Sequence, residues 1–195
     1  EVVEGELGAS IGERFSDFSV DPLASASIGQ VHAGTLRNGR EVVVKVQRPG
    51  VRETVRDDME VLTRLASIAD RRTEAGRQFG FGQLLAQFRR SVAGELDYRR
   101  EAKNLVTFGE LTAEYDRLVV PQPVMEYTTS RLVTMDRIEG RKITDIGRLG
   151  LMDIDARPIV EQLFHAYLRM ILDHGVLHAD PHPGNLLITD DGQLA

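Results

Sequence analysis

His178-Ala179-Asp180-Pro181-His182-Pro183-Gly184-Asn185 is the stretch on which the reading of this chain turns. Asp180 and Asn185, two oxygen-bearing side chains, stand five positions apart in a proline-stiffened loop. Phosphoryl transfer needs a carboxylate to orient the attacking hydroxyl and, beside it, an oxygen ligand for Mg²⁺. Asp180 and Asn185 can supply them, at the spacing that phosphotransfer loops use. The same residues also fit a stiff turn with a helix-capping Asp. A metal reading competes as well. His174, His178 and His182 recur every four residues around Asp180, and imidazole with carboxylate suits Zn²⁺ or Fe²⁺. Gly175, Pro181 and Pro183 stop one helix from presenting all three histidines.

Short apolar runs, Val176-Leu177 and Leu186 to Ile188, flank the loop. Upstream, Ile159, Leu163, Ala166, Met170 and Ile171 mark a long helix, with Asp155 as N-cap, Pro158 near its first turn and His174-Gly175 at its end. Leu118 to Val120 and Arg131 to Ile138 read as strands, separated by Pro121, Pro123 and a Thr-Thr-Ser turn. Two helical stretches precede them. One runs from Val51 to about Arg72, with Val51, Val55, Met59, Leu62, Leu65 and Ala69 as its stripe. The other runs from Phe81 towards Phe108 and is weakened at Gly94. Earlier still, Gln30 to Leu36 and Glu41 to Gln47 flank Asn38-Gly39, a type I′ hairpin signal. Strands gathered early and a helix-led second half predict an α+β fold in two lobes.

Three further features fall in order along that frame. In Glu41 to Gln47, alternation places Val42, Val44 and Val46 on one face and Val43, Lys45 and Gln47 on the other. Before it, Ala24-Ser25-Ala26-Ser27-Ile28-Gly29-Gln30-Val31 follows the G-x-G-x-x-G-x-V phosphate-loop template, with Ala at the first two glycine positions. After it comes Glu95-Leu96-Asp97-Tyr98-Arg99-Arg100-Glu101. If helical, this puts Asp97 and Glu101 on one face and Glu95 elsewhere, and offers a carboxylate to Lys45. Singly these read as a small-residue turn, an edge lysine and a solvated charged face. Together they give phosphate loop, Lys, helix Glu, connecting strand, Asp and Asn, the order a protein-kinase-like fold demands.

Composition narrows the alternatives. The chain has 195 residues, 42% hydrophobic and 28% charged, which suits one globular domain or two lobes. With 24 Lys and Arg against 30 Asp and Glu, no Trp and 6% aromatic residues, nucleic acid is disfavoured as a partner on charge and on stacking. There is no cysteine, which excludes thiol catalysis, iron–sulfur clusters and Cys-based zinc sites, and fits a reducing compartment. No apolar run approaches the ~18 residues of a membrane span. The acidic start at Glu1 is not a signal peptide, and Asp190 to Ala195 reads as a turn entering a strand, so a piece of a longer protein is expected.

These motifs resemble the UbiB/AarF atypical kinase family over nearly the whole chain. The likeness rests on Pro22 to His32, on Val44-Lys45-Val46-Gln47-Arg48-Pro49-Gly50, on Glu95 to Tyr98 with Glu101-Ala102, and on His178 to Asn185. The resemblance implies a protein-kinase-like two-lobed fold truncated within its C-terminal lobe, with residues 1–138 as N-lobe and 139–195 as the start of the C-lobe. It implies ATP or ADP with Mg²⁺ as cofactors. By the same resemblance Lys45 holds the α- and β-phosphates, Glu101 partners it, and Asp180 is the catalytic base. Asn185 is then a metal ligand, and Ala24, Ser25, Ala26, Ser27 and Gly29 cover the phosphates. Val31 and Val43 line the adenine pocket, and Glu95 and Asp97 form the family's regulatory motif. A lipid or quinone-precursor ligand, a peripheral membrane contact and a cytoplasmic or membrane-peripheral location follow from it too. The family's Lys-x-Gly-Gln segment is not found before Pro22, and its Asp-Phe-Gly lies beyond Ala195, so these residues alone are expected to be inactive. A nucleotide-binding pseudokinase scaffold is the alternative of a different class.

Overall fold

A computed structural model describes residues 1–147, 155–177 and 182–195. They form two compact units, one of residues 1–101 and 124–134, the other of residues 102–123 and 135–195. Helix and sheet are mixed, as the α+β reading requires.

The first unit is built on a sheet whose strands run in the order β1-β3-β4-β5, with β2 also paired to β3. The strands are β1 (Phe15–Phe18), β2 (Ala24–Ser25), β3 (Gly29–Leu36), β4 (Glu41–Gln47) and β5 (Leu132–Asp136). Thr35 faces Glu41 and Gly29 faces Gln47 in the antiparallel β3–β4 pair. The hairpin between them is not type I′. Gly39 alone takes a positive φ, 86°, and Asn38 does not. The Gly39 N–H donates to the Leu36 carbonyl and the Leu36 N–H to the Arg40 carbonyl, which makes a three-residue loop ending on a left-handed glycine.

Alternation along β4 buries Val42, Val44 and Val46. They pack with Phe15, Leu36, Val124, Leu132 and Val3. Phe15 fixes the corner of this core, with edge-on rings at 5.2 Å to Phe18 and 5.8 Å to Tyr127. Val3 comes from α1 (Val2–Leu7), and a short α2 (Ile11–Arg14) leads into β1. Neither helix nor β1 and β2 is evident in the sequence, because each is too short to show a period.

α3 spans Val51–Arg72, as the stripe predicts. α4 (Glu74–Phe79) and α5 (Phe81–Glu95) follow. Neither α3 nor α5 contributes a buried residue, so Leu62, Leu65, Phe81, Leu84 and Phe88 leave an apolar groove open between them.

The expected continuous helix from Phe81 to Phe108 is two helices, broken at Leu96-Asp97, with α6 covering Tyr98–Thr112. The break has a long-range cause. The Leu96 carbonyl, which would accept from Arg100 in a continuous helix, accepts instead from Gln47 Nε2 at 2.6 Å and Arg52 Nη2 at 2.5 Å. The Tyr98 N–H donates to the Ser130 carbonyl, which Arg52 also holds at 2.6 Å. Arg52 Nε donates to Gln47 Oε1 at 3.0 Å, so the two side chains orient each other. Asp97 then starts α6 as its cap. Its carboxylate accepts from the Arg99 N–H at 3.2 Å and from the Arg99 guanidinium at 2.9 and 3.0 Å. The side-chain hydrogen bond from Arg99 is the main reason its carboxyl lies below the usual value, with partial desolvation opposing.

The second unit has its own small core, Ile146, Ile159, Ile188 and Leu194, with Leu118, Ile143, Leu163 and Leu186 packed against it. β6 (Arg141–Lys142) pairs antiparallel with β7 (Leu187–Ile188). The strand expected over Leu118 to Val120 is only a bridge, Leu118 to Leu194, and β5 is shorter than the Arg131 to Ile138 run. Val176-Leu177 forms no strand. α7 (Ala156–His174) begins after Asp155 and stops at Gly175, whose φ is 64°. Among the described residues no helix is long and apolar enough to cross a membrane.

Two stability tests follow from the Leu96-Asp97 break. Arg52→Ala removes charged hydrogen bonds to two part-buried carbonyls, which keep Gln47 and the Tyr98 N–H as partners, and should cost about 1.5–3 kcal/mol. Arg52→Lys should recover less than half, since one ammonium cannot replace a planar fork. Urea unfolding midpoints read both. Asp97→Ala removes a cap and should cost about 1 kcal/mol at pH 7. Because the folded carboxyl is depressed, its contribution is present above the ordinary 3.8 and is lost as pH falls through the lowered value. Parallel urea titrations at pH 7 and in acid should therefore show the gap between wild type and variant closing in acid.

Candidate functional site

Lys45 stands on the face of β4 opposite the buried valines, directly across from Val31 of β3. Since α6 starts at Tyr98, Glu101 falls in its first turn. The two side chains meet, with Lys45 Nζ donating to both Glu101 carboxylate oxygens at 2.8 Å. The pair stays about one-third open, 30% and 34% exposed, so its ammonium can exchange partners without a full desolvation cost. Tyr98 lies beside it. The Lys45 ammonium sits 4.9 Å from the Tyr98 ring centroid, in reach of the negative π face. The Tyr98 side chain is almost fully buried and its hydroxyl has no hydrogen-bond partner. Burial, then the Glu101 charge, push its pKa up to about 12.

The alanine-rich segment is a tight hairpin rather than an open loop. Ala24 faces Val31 and Ser25 faces Gln30. The Ala26 N–H closes the turn on the Gly29 carbonyl at 2.8 Å, and the Arg48 N–H ties the Ile28 carbonyl at 3.0 Å. Arg48 Nη2 also donates to Ser25 Oγ at 3.2 Å. Ala24, Ser25, Ala26 and Ser27 are exposed. None of the residues from Ala24 to Gly29 takes a positive φ, so alanine is accommodated here without backbone strain. Gly29 is needed for space instead. A Cβ there would lie 2.8 Å from the Tyr98 hydroxyl and 2.8 Å from the Val46 carbonyl. Val31 and Val43 are half-buried on the Lys45 face of the sheet.

Of the acidic pair, Glu95 is the exposed last residue of α5. Asp97 precedes α6 instead of lying in it, so it does not share a helical face with Glu101 as expected. Its carboxylate is held by Arg99.

In the second unit, Asn185 is exposed and ends a 3₁₀ turn, Pro183–Asn185. His182 Nδ1 accepts from the Gly184 N–H at 3.0 Å and so caps this turn. His178 and Asp180 lie outside the described residues, and the readings that rest on them lie there too. Among the described residues no group of three His, Asp or Glu is placed to hold a metal. The structure thus brings together Val31, Lys45, Glu101 and the Ala24–Gly29 hairpin. Sequence reasoning missed Tyr98, Gln47 and Arg52. The signal for Tyr98 was there, an aromatic three residues before Glu101, which one turn of helix brings alongside it.

A family model described as the ABC1 atypical kinase-like domain matches residues 1–195. A probable protein kinase UbiB of Cellvibrio japonicus is 35% identical over 190 residues, which is 97% of this chain and 34% of that protein. An uncharacterized aarF domain-containing protein kinase of Arabidopsis thaliana, described as chloroplastic, is 37% identical over 196 residues, 100% of this chain and 27% of that one. Among solved structures, that of Rv3197 of Mycobacterium tuberculosis in complex with erythromycin matches with a TM-score of 0.83 at 34% identity, covering 99% of this chain and 48% of that one. The chain spans about a third of the length of the curated relatives it matches. With the paired Lys45 and Glu101 and a match along its whole length, the chain belongs to the UbiB/AarF group of ABC1 atypical kinase-like proteins.

Proposed function

We propose that this chain carries the nucleotide site of an ATP-dependent phosphotransferase or ATPase. The observation that carries this reading is the two-point Lys45–Glu101 pair beside the Ala24–Gly29 hairpin. A carboxylate that grips both sides of an ammonium fixes its position, and a fixed, partly open ammonium is what the α- and β-phosphates of ATP or ADP need. In this reading the Ala24–Gly29 backbone covers the phosphates, and Val31 and Val43 flank the adenine. Asp180 orients the attacking hydroxyl or water and Asn185 ligates Mg²⁺. Glu95 and Asp97 serve regulation. The substrate class is a lipid or isoprenoid-quinone precursor, met at a membrane surface by the whole protein, as the kinship with UbiB suggests.

One feature favours a second reading, a nucleotide-binding scaffold with weak turnover. Ala24 and Ala26 carry a Cβ where phosphate loops carry glycine, which limits close approach of the backbone to phosphate.

The test uses the full-length protein. Mg-ADP and Mg-ATP at a hundred times Kd should stabilise it by about 2.7 kcal/mol, read as a thermal shift. Lys45→Ala should abolish the shift. Asp180→Asn should keep it while lowering turnover by about 10²–10⁴-fold. Wild-type turnover in Asp180→Asn would remove the base from its assigned role. A shift without measurable turnover in wild type would favour the scaffold.

A further inference from the structure

The Lys45–Glu101 pair and the phosphate-covering hairpin have a neighbour in common that no part of the nucleotide reading uses. Tyr98 is 1% exposed, lies beside the ammonium through its ring, and reaches Gly29 with its hydroxyl. Buried tyrosine hydroxyls ordinarily find an acceptor, and this one has none. Its place is defined by shape instead. The hydroxyl fills the room left by the missing Cβ of Gly29, at the end of the hairpin and the start of β3. Its backbone is pinned separately, through the Tyr98 N–H to the Ser130 carbonyl. A rigid ring packed between two elements passes a shift of one to the other, because packed interiors have low compressibility and transmit strain.

We infer that Tyr98 is a positioning residue of the nucleotide site, setting the Lys45 ammonium with its ring and the base of the Ala24–Gly29 hairpin with its hydroxyl edge, so that the two phosphate-facing elements are placed as one. This rests on the nucleotide reading above. Tyr98 itself touches no phosphate. Its effect runs through Lys45 and Gly29.

Binding of Mg-ADP to the full-length protein by titration calorimetry, with thermal melting of each variant, tests the inference. Tyr98→Phe keeps the ring that faces Lys45 and loses the hydroxyl edge that packs on Gly29, so it should weaken binding about threefold with no loss of melting temperature, since the hydroxyl it removes is unpartnered. Tyr98→Leu removes the aromatic face and should weaken binding at least tenfold at a temperature where the variant is fully folded. Gly29→Ala presses on the hydroxyl from the other side and should weaken binding at least fivefold. In the Gly29→Ala background, adding Tyr98→Phe should recover part of that loss, because it frees the collision with the hydroxyl while that with the Val46 carbonyl stays. This second pair decides the matter if Tyr98→Leu does not fold. Wild-type affinity in folded Tyr98→Leu would overturn the inference and leave the nucleotide site standing. So would a Tyr98→Phe effect that is identical with and without Gly29→Ala. Failure of wild type to bind Mg-ADP would overturn the nucleotide reading, and the positioning role with it.

Discussion

The capture of the Leu96 and Ser130 carbonyls by Arg52 and Gln47 is the constraint on which the first unit's chemistry depends. These contacts decide where one helix ends and the next begins, and so which residues of α6 lie in its first turn. A helix running on through Leu96 would carry Glu101 with a different phase. With the break in place, a single turn separates the capped start at Asp97 from the carboxylate that grips Lys45. Gln47 closes β4 and Arg52 opens α3, two residues past Gly50, so the strand that carries Lys45 also carries one half of the clamp that positions its partner.

The energetics of the site differ from those of the core beneath it. Val42, Val44 and Leu132 are fully buried and stabilise by removal of apolar surface, at roughly 25 cal/mol per Å². The Lys45–Glu101 pair is one-third exposed, and pairs of that kind contribute at most about 1 kcal/mol to folding. Its geometry is therefore better explained by what it orients than by what it stabilises. The alanines of the hairpin make a parallel case. Their backbone is unstrained, and tightness at the hairpin base comes from Gly29, where backbone and side chain from two other elements converge.

Much of this architecture was legible in the sequence, for local reasons. The period of α3, the alternation of β4 and the glycine that ends α7 are set by neighbours in the chain, and each is where the pattern puts it. The pairing of Lys45 with Glu101, 56 residues apart, was legible only through the resemblance, since spacing alone leaves a charged helical face equally good. The break before Tyr98 was not legible. Asp97 is a local cap, but an Asp there suits a solvated helical face equally well, and the groups that take up the Leu96 carbonyl and the Tyr98 N–H come from Gln47, Arg52 and Ser130. The hairpin turn failed on a finer point. Asn38-Gly39 suits two left-handed residues, but the loop needs only one, at Gly39, once Leu36 pairs with Arg40.

The helical pair α3 and α5, which has no buried residue, gives the isolated 195-residue chain an uneven resistance to opening. Amide protons in the β3–β4 ladder are shielded by the core of the first unit, and exposing them requires that unit to unfold. Beyond the Arg52 clamp, those in α3 and α5 are shielded by contact between marginal helices, and local unfolding there releases little buried surface. Hydrogen exchange should divide along that line, and limited proteolysis should nick the chain near Gly80, where α4 hands over to α5, before it reaches the strands.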